Sequence, residues 1–327
     1  MSAVDLQADI ILRLKSSQRY FTREELAGAC GVKPMDITTA VRELIDRGYR
    51  IDEIPGEGYR FVDTPGLIDG ADIRSALNTK VLGTEVFTFK RVTSTNDVAA
   101  TLARGGAHEG TLVVAEEQSR GRGRLGRSWF SPAGSGLWFS IVLRPVMKAE
   151  NSSTIPLVVA LGIADGLEQR YGVKAGLKWP NDVLVAGRKI CGILTEAEFV
   201  NQRVSFVVAG IGLNVLTEQG DFPPELTGIA TSLKIESDQE ISRTGVLACV
   251  MEAIEDKYVK LCDRGFSALK KELLRRSLTI GKMTRVMTAK GIVEGVAADF
   301  DESGALVLRR DNGSSERIVA GDVAAIR

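Results

Sequence analysis

Two segments concentrate the residue types that can bind and activate a charged substrate. The first is Ser-Arg-Gly-Arg-Gly-Arg-Leu-Gly-Arg-Ser-Trp-Phe-Ser-Pro at residues 119–132. Arg120, Arg122, Arg124 and Arg127 alternate with Gly121, Gly123 and Gly126. Guanidinium groups bind phosphate oxygens bidentately and keep their charge, and glycines let backbone amides come close to a ligand. The pattern predicts a loop that grips a polyanion. A solvated basic loop is the plain alternative, and the adjoining Trp129 and Phe130 argue against it. The three glycines also spell GxGxxG behind a strand, but a dinucleotide fingerprint must open a helix, and here the chain continues as turn and strand.

The second segment is Lys-Trp-Pro-Asn-Asp-Val-Leu-Val-Ala-Gly-Arg-Lys-Ile-Cys-Gly-Ile-Leu-Thr-Glu at residues 178–196. Asn181 and Asp182 shape an Asx-type turn between strands. Lys189 falls where a strand begins, so its amine can point into a cleft beside Gly192. Trp129 and Trp179 fall inside the two segments, which favours a ligand pocket over bare surface.

Other chemistries lack material. His108, in the loop-like stretch Gly-Gly-Ala-His-Glu-Gly, is the only histidine, so Ser-His-Asp triads and HExxH metal sites have almost nothing to build on. Cys30, Cys191, Cys249 and Cys262 form no CxxC pair and are expected as reduced, mostly buried thiols. Lys plus Arg and Asp plus Glu are both 42, a net charge of zero, which argues against coating nucleic acid or membrane by bulk charge. With 44% hydrophobic and 26% charged residues the chain reads as globular. The longest apolar run, Ile155 to Ala164, is far short of the ~20 residues that span a bilayer. No export signal is read, and the cytoplasm is the expected location.

Three parts must position these segments. Residues 6–62 read as a winged helix-turn-helix. Leu6, Ile10, Ile11 and Leu14 mark one helix, and a Thr22–Glu25 capping box opens a second that ends near Gly31. Pro34 starts a third, with a stripe of Ile37, Ala40, Val41, Leu44 and Ile45 that stops at Gly48. Tyr49 to Phe61 reads as a hairpin around Pro-Gly-Glu-Gly. The face carrying Asp36, Thr38, Thr39 and Arg42 is the candidate DNA-reading face. Residues 1–65 hold nine basic against eleven acidic side chains, a net of −2, so charge alone does not announce a DNA reader. A turn-rich linker is expected over 66–80. Residues 81–275 read as a mixed α+β domain on a mostly antiparallel sheet, and 276–327 as short strands forming an SH3-like barrel.

These residues together resemble the biotin protein ligases. The resemblance rests on Gly-Arg-Gly-Arg-x-Gly-Arg-x-Trp at 121–129, Lys-Trp-Pro-Asn-Asp at 178–182 and Arg-Lys-x-x-Gly-Ile-Leu at 188–194. Ser-Thr-Asn at 94–96, Gln118 and Gly-Ile-Gly-Leu-Asn at 210–214 extend it over essentially the whole chain. The order of parts is similar to that of bifunctional ligase and biotin-operon repressors. The resemblance implies a multidomain α+β fold: an N-terminal winged helix, a central ligase domain of biotin/lipoate type and a C-terminal SH3-like β-barrel. It implies adenylation of biotin by ATP with Mg2+, then transfer to a lysine of a biotin carboxyl carrier protein.

By the same resemblance, Ser94, Thr95, Asn96, Gln118, Gly121, Arg122, Arg124, Lys189 and Gly192 hold biotin. Arg124, Arg127, Trp129, Asn181, Lys189 and Asn214 hold the nucleotide or adenylate. Lys189 and Arg124 serve the adenylation step and Asp182 the acceptor lysine, with a turn-forming role for Asp182 equally open. Magnesium ligands are unassigned. Phe222, Pro223 and Pro224 in the 217–231 loop suit an apolar cover over adenine. The resemblance further implies operator DNA as a partner and a homodimer. Lys33 and Pro34 replace a Ser-Arg pair common at the start of the third helix, and Glu57 sits on the wing, so DNA binding rests on domain order. The rivals are a ligand-sensing transcription factor without catalysis and a lipoate or octanoyl-transfer enzyme.

Overall fold

The computed structural model describes residues 3–15, 17, 19–46, 49–63 and 68–326. The chain forms two compact units, Met1–Ser75 and Ala76–Arg327.

The first unit contains α1 (Ala3–Lys15), α2 (Arg23–Cys30), α3 (Pro34–Asp46), the antiparallel pair β1 (Arg50–Ile54) and β2 (Gly58–Asp63), and α4 (Gly70–Ala76). Thr22 Oγ1 accepts from the Glu25 amide at 3.1 Å and the Thr22 amide donates to Glu25 at 2.7 Å, which completes the capping box. The C-cap Gly31 is left-handed at φ 68°. Ile10, Ile11, Leu14, Leu26, Ile37 and Leu44 form the core. Ile45, assigned to the same stripe by spacing, is 40% exposed. Gly48 and residues 64–67 lie outside the described residues. The 66–80 stretch is not uniformly turn: Asp69 accepts from the Ala71 amide at 2.7 Å and so starts α4, whose Ala71 joins the core.

In the second unit, β3 (Val86–Val92), α5 (Thr95–Arg104), β4 (Leu112–Gln118) and β5 (Gly136–Leu143) precede the long helix α6 (Thr154–Tyr171). Next come β6 (Gly176–Lys178), β7 (Asp182–Val185), β8 (Arg188–Val200) and β9 (Arg203–Asn214). The sheet order is β3-β4-β5-β9-β8-β7-β6, antiparallel except for β3 with β4. Helices α7 (Leu233–Glu236), α8 (Arg243–Arg264) and α9 (Ser267–Arg276) follow. The apolar run Ile155–Ala164 is core: α6 packs on α8 so closely that a Cβ on Gly162 would lie 2.6 Å from the Ile254 Cα. No helix among the described residues is long and apolar enough to cross a membrane.

The C-terminal part comprises β10 (Met283–Thr288), β11 (Gly291–Phe300), β12 (Leu306–Arg309), β13 (Ser315–Ile318) and β14 (Asp322–Ile326), ordered β13-β12-β11-β10-β14. It is fastened to the seven-stranded sheet through Trp179, which follows β6. The indole Nε1 donates to the Gly304 carbonyl at 3.2 Å, and the Trp179 amide donates to Thr279 Oγ1 at 3.1 Å. Trp179 is therefore a buried fastener as well as part of the cleft wall. The cysteines divide: Cys191 is buried and its thiol pushed well above the usual range by burial, Cys30 and Cys249 are half-buried, and Cys262 is exposed, fewer buried than expected.

Candidate active site

A cleft of about 630 Å3 opens on one face of the large sheet. Its shape starts with glycines. Gly210 and Gly212 are two apart on β9 and so face the same side. A Cβ on Gly212 would lie 2.2 Å from the Trp129 Nε1, and one on Gly210 would lie 1.9 Å from the Asn96 Oδ1. Gly192, opposite Gly212 in register, is also overlaid by the Trp129 ring, 2.9 Å from its notional Cβ. The Gly-Ile-Gly of β9 thus makes a trough that receives Asn96 and Trp129. The Trp129 Nε1 is buried over Gly212 and has no hydrogen-bond partner among the described residues.

One end of the cleft is a tight polar network. The Thr95 amide donates to Gln118 Oε1 at 2.9 Å, and Gln118 Nε2 donates to Ser131 Oγ at 3.0 Å. The Ser140 hydroxyl lies 2.8 Å from the Thr95 hydroxyl and 2.7 Å from Asn96 Oδ1. Asn96 Nδ2 donates to Glu196 at 2.7 Å. Ser94 is the N-cap of α5 by position, but its side chain makes no capping bond. These fixed donors and acceptors suit a small neutral polar group such as a urea.

The other end is charged. Lys189 Nζ sits 2.7 Å from Asp182 Oδ1 and 5.0 Å from the centre of the Trp129 ring, a cation–π distance. Arg124 donates to Asn181 Oδ1 at 3.3 Å and pairs with Asp322 at 3.4 Å. Burial lowers the Arg124 guanidinium from its ordinary value, against the opposing pull of Asp322 and Asp182. Arg127 pairs with the same Asp322 at 2.8 Å. Arg122 turns instead to Asp97 at 2.7 Å and Glu196 at 3.1 Å, at the cleft rim.

Asn181 does not close an Asx turn on itself; its Nδ2 donates to the Ile193 carbonyl at 2.7 Å and its own carbonyl accepts from the Ile193 amide at 3.0 Å, which ties the turn to β8. The 217–231 loop is zipped to Lys189, whose amide donates to the Ile229 carbonyl at 2.8 Å while Asn214 Nδ2 donates to Thr231 at 2.9 Å. Phe222, Leu226 and Ile229 from this loop line the cleft.

The cleft therefore brings together Ser94, Thr95, Asn96, Gln118, Arg122, Arg124, Arg127, Trp129, Asn181, Asp182, Lys189, Gly192 and Asn214. Gly121 stands behind the wall, its carbonyl accepting from the Trp129 amide at 2.8 Å. Four residues escaped the reading from sequence: Ser131, Ser140, Glu196 and Asp322. Ser140, a polar residue inside the wholly buried strand β5, carried a signal; Asp322, nearly 200 positions from Arg124, carried none. Among the described residues no three His, Cys, Asp or Glu side chains converge as a metal site. Asp182 and Asp322 are both paired with cations, so the cleft offers magnesium no carboxylate set of its own.

In the first unit, Met35, Thr39 and Arg42 are exposed along one face of α3 and Thr38 is half-buried. Both threonine hydroxyls donate back to their own helix, Thr39 to the Met35 carbonyl at 3.2 Å. Asp36, the third helical residue, accepts from the Lys33 amide at 3.0 Å, the reciprocal half of a capping box whose other half a serine at position 33 would supply. The wing cation Arg60 pairs with Asp52 at 3.1 Å, and Glu57 is exposed.

Residues 88–214 match the biotin/lipoate A/B protein ligase family, and residues 279–324 match the biotin protein ligase C-terminal domain. The chain belongs to the biotin protein ligase family. Over 97% of its length it is 34% identical to the bifunctional ligase/repressor BirA of Bacillus subtilis, covering 98% of that protein. It is also 34% identical to the biotin--[acetyl-CoA-carboxylase] ligase of Mycobacterium tuberculosis, over 72% of this chain and 86% of that one. Among solved structures, the Aquifex aeolicus biotin protein ligase in complex with biotin and ATP matches with a TM-score of 0.63 at 29% identity, covering 75% of this chain and 99% of that one.

A Gly212→Ala substitution is expected to displace the Trp129 indole, because the new methyl would occupy the ring's position. Tryptophan fluorescence should shift, and biotin-dependent turnover should fall by roughly tenfold or more, the equivalent of a 1–3 kcal/mol overpacking cost.

Proposed function

We propose that the chain joins biotin to ATP as biotinyl-5′-adenylate and passes the biotinyl group to one lysine of a biotin carboxyl carrier protein. The observation that carries this reading is the juxtaposition, in one cleft, of Thr95 and Gln118, held from behind by Ser131 and Ser140, with Lys189, Arg124 and Arg127. A urea-binding end and an anion-binding end are what a biotin carboxylate aimed at an α-phosphate requires.

In the first step a carboxylate oxygen attacks the α-phosphorus and pyrophosphate leaves. Lys189 and Arg124 offset the charge that builds between the two anions, and Arg127 and Asn181 hold the phosphates. Ser94, Thr95, Asn96, Gln118, Arg122 and Gly192 frame biotin, with Gly121 fixing the wall, while Trp129 and Asn214 border the adenylate. In the second step the carrier amine attacks the acyl carbon and AMP leaves, with Asp182 placed to receive the amine proton once Lys189 has turned to the substrate. Magnesium would arrive on the nucleotide phosphates. Labelling of a single lysine of an isolated biotin carrier domain, dependent on ATP and biotin, tests the proposal. Equal labelling with lipoate would replace it with a lipoate-type ligase.

The parts divide the work: residues 81–275 catalyse, 276–327 complete the cleft, and 1–65, joined through 66–80, read DNA as in a biotin-responsive repressor acting as a homodimer. The exposed Met35, Thr39 and Arg42 face supports the DNA-reading role. Gel-shift affinity for the chain's own biotin-gene promoter should rise when biotin and ATP are added and fall steeply with salt. No shift at low salt would leave the winged helix without that role.

A further inference from the structure

At the polar end of the cleft three side chains are closed off from solvent: Thr95 and Asn96 are 3% exposed and Ser140 is 0% exposed. Thr95 and Asn96 stand in the first turn of α5, and Ser140 comes from the wholly buried strand β5. Where no water can correct a mismatch, each close oxygen–oxygen contact must carry a proton, so the protons can be counted.

The count starts at Asn96. Its Nδ2 donates to the Leu194 carbonyl at 3.2 Å and to the Glu196 carboxylate at 2.7 Å, and both of these groups only accept. The amide is thereby oriented, with Oδ1 lying over Gly210 and 2.7 Å from the Ser140 Oγ. An amide oxygen has no proton, so the single Ser140 proton goes to it. Ser140 then accepts from Thr95, 2.8 Å away, and takes the single Thr95 proton. The Thr95 hydroxyl also lies 3.2 Å from Gln118 Oε1, but that oxygen already accepts from the Thr95 amide at 2.9 Å. What Thr95 has left for the cleft it lines is a lone pair.

We infer that Ser140, directed by Asn96, Leu194 and Glu196, makes the Thr95 hydroxyl a one-way acceptor, so that the ligand atom meeting it must be an N–H donor. This rests on the reading of that end of the cleft as a urea site. Ser140 acts through Thr95 and is a positioning residue. A urea N–H satisfies the lone pair. The dithiolane ring of lipoate has no N–H and leaves it unpaired, so the same wiring that favours biotin rejects lipoate.

Calorimetric titration of the full chain tests this with biotin and the two cyclic carbamates in which one or the other urea N–H is replaced by a ring oxygen. The parent should bind at least one carbamate roughly 10- to 100-fold more weakly than biotin, the scale of a buried acceptor facing no donor. In Ser140→Ala, and in the near-isosteric Ser140→Cys with its weakly bonding thiol, Thr95 can turn its proton to the cleft and donate to that oxygen. The penalty for that carbamate should fall to about threefold or less while the other carbamate's stays at the parent value, a selectivity that general loosening of the site would not produce. Should Ser140→Ala not fold, Ser140→Cys carries the test. Carbamate penalties equal to the parent's in the folded Ser140 variants overturn the inference. A Thr95→Val variant that binds biotin as tightly as the parent overturns instead the urea-site reading beneath it.

Discussion

Biotin-dependent exchange of pyrophosphate into ATP should fall by roughly 10³-fold or more in a Lys189→Ala, Arg124→Ala double variant. Losing one preorganised charge-stabilising donor typically costs ~10²–10³ in rate, and the effects of two that act on the same developing charge are not simply additive. The expectation follows from where the cations are. Lys189 Nζ is 2.7 Å from Asp182 Oδ1, and both side chains are partly exposed, so solvent screens the pair and the amine can turn to a substrate anion. Arg124 is anchored to Asn181 in the turn beside it. Both side chains are partly exposed, at 33% and 22%, so the variant should keep the parent's melting temperature. A fold-preserving variant that retains exchange would remove these two residues from the reaction. Arg127→Ala, with its side chain 68% exposed, should have a smaller effect.

The largest stability effect is expected at Arg243→Ala. Arg243 of α8 pairs with Glu116 of β4 at 2.8 Å, both side chains being 6% exposed, and it also donates to the Gly136 carbonyl at the start of β5 at 3.3 Å. Removing the cation takes the Arg243 charge away from a buried carboxylate, which costs about 3–5 kcal/mol. For a unit of this size that lowers the melting temperature by roughly 10 °C or more. A double Arg243→Met, Glu116→Leu variant should recover most of the loss, because it removes both charges together. Calorimetric melting of the single and double variants measures this; a single variant as stable as the parent would show that the pair contributes little. The pair also matters to function, since β4 and β5 flank the 119–135 segment that carries the Gly-Arg loop.

The reach of the sequence followed the distance over which its signals act. The Thr22–Glu25 box, the left-handed Gly31 and the regular strand spacing after Lys282 are local, and each element formed where its residues said. The Gly-Arg loop and the start of β8 were legible because the chemistry they share lies within a few residues. The 66–80 stretch was read as turn throughout and missed helix α4, although Asp69-Gly-Ala-Asp is an N-cap signal in a turn-rich setting. Ile45 fitted the helical stripe and is exposed, because periodicity gives a face but not where its edge falls. What was out of reach is what only folding joins: Ser140 meeting Thr95 and Asn96 across 45 and 44 positions, and Asp322 meeting Arg124 from another domain. The glycines of β9 acquire their meaning only when Trp129 and Asn96 are seen lying on them.

The central claim is that one cleft adenylates biotin and then gives the biotinyl group away. The most direct measurement is pyrophosphate release from ATP by the purified chain with biotin alone, then transfer on addition of a carrier domain, with lipoate in parallel. The account predicts one pyrophosphate per active site with biotin, none with lipoate, and AMP release with labelling of one carrier lysine once the carrier is added. Absence of pyrophosphate release with biotin, in a folded preparation, would contradict it.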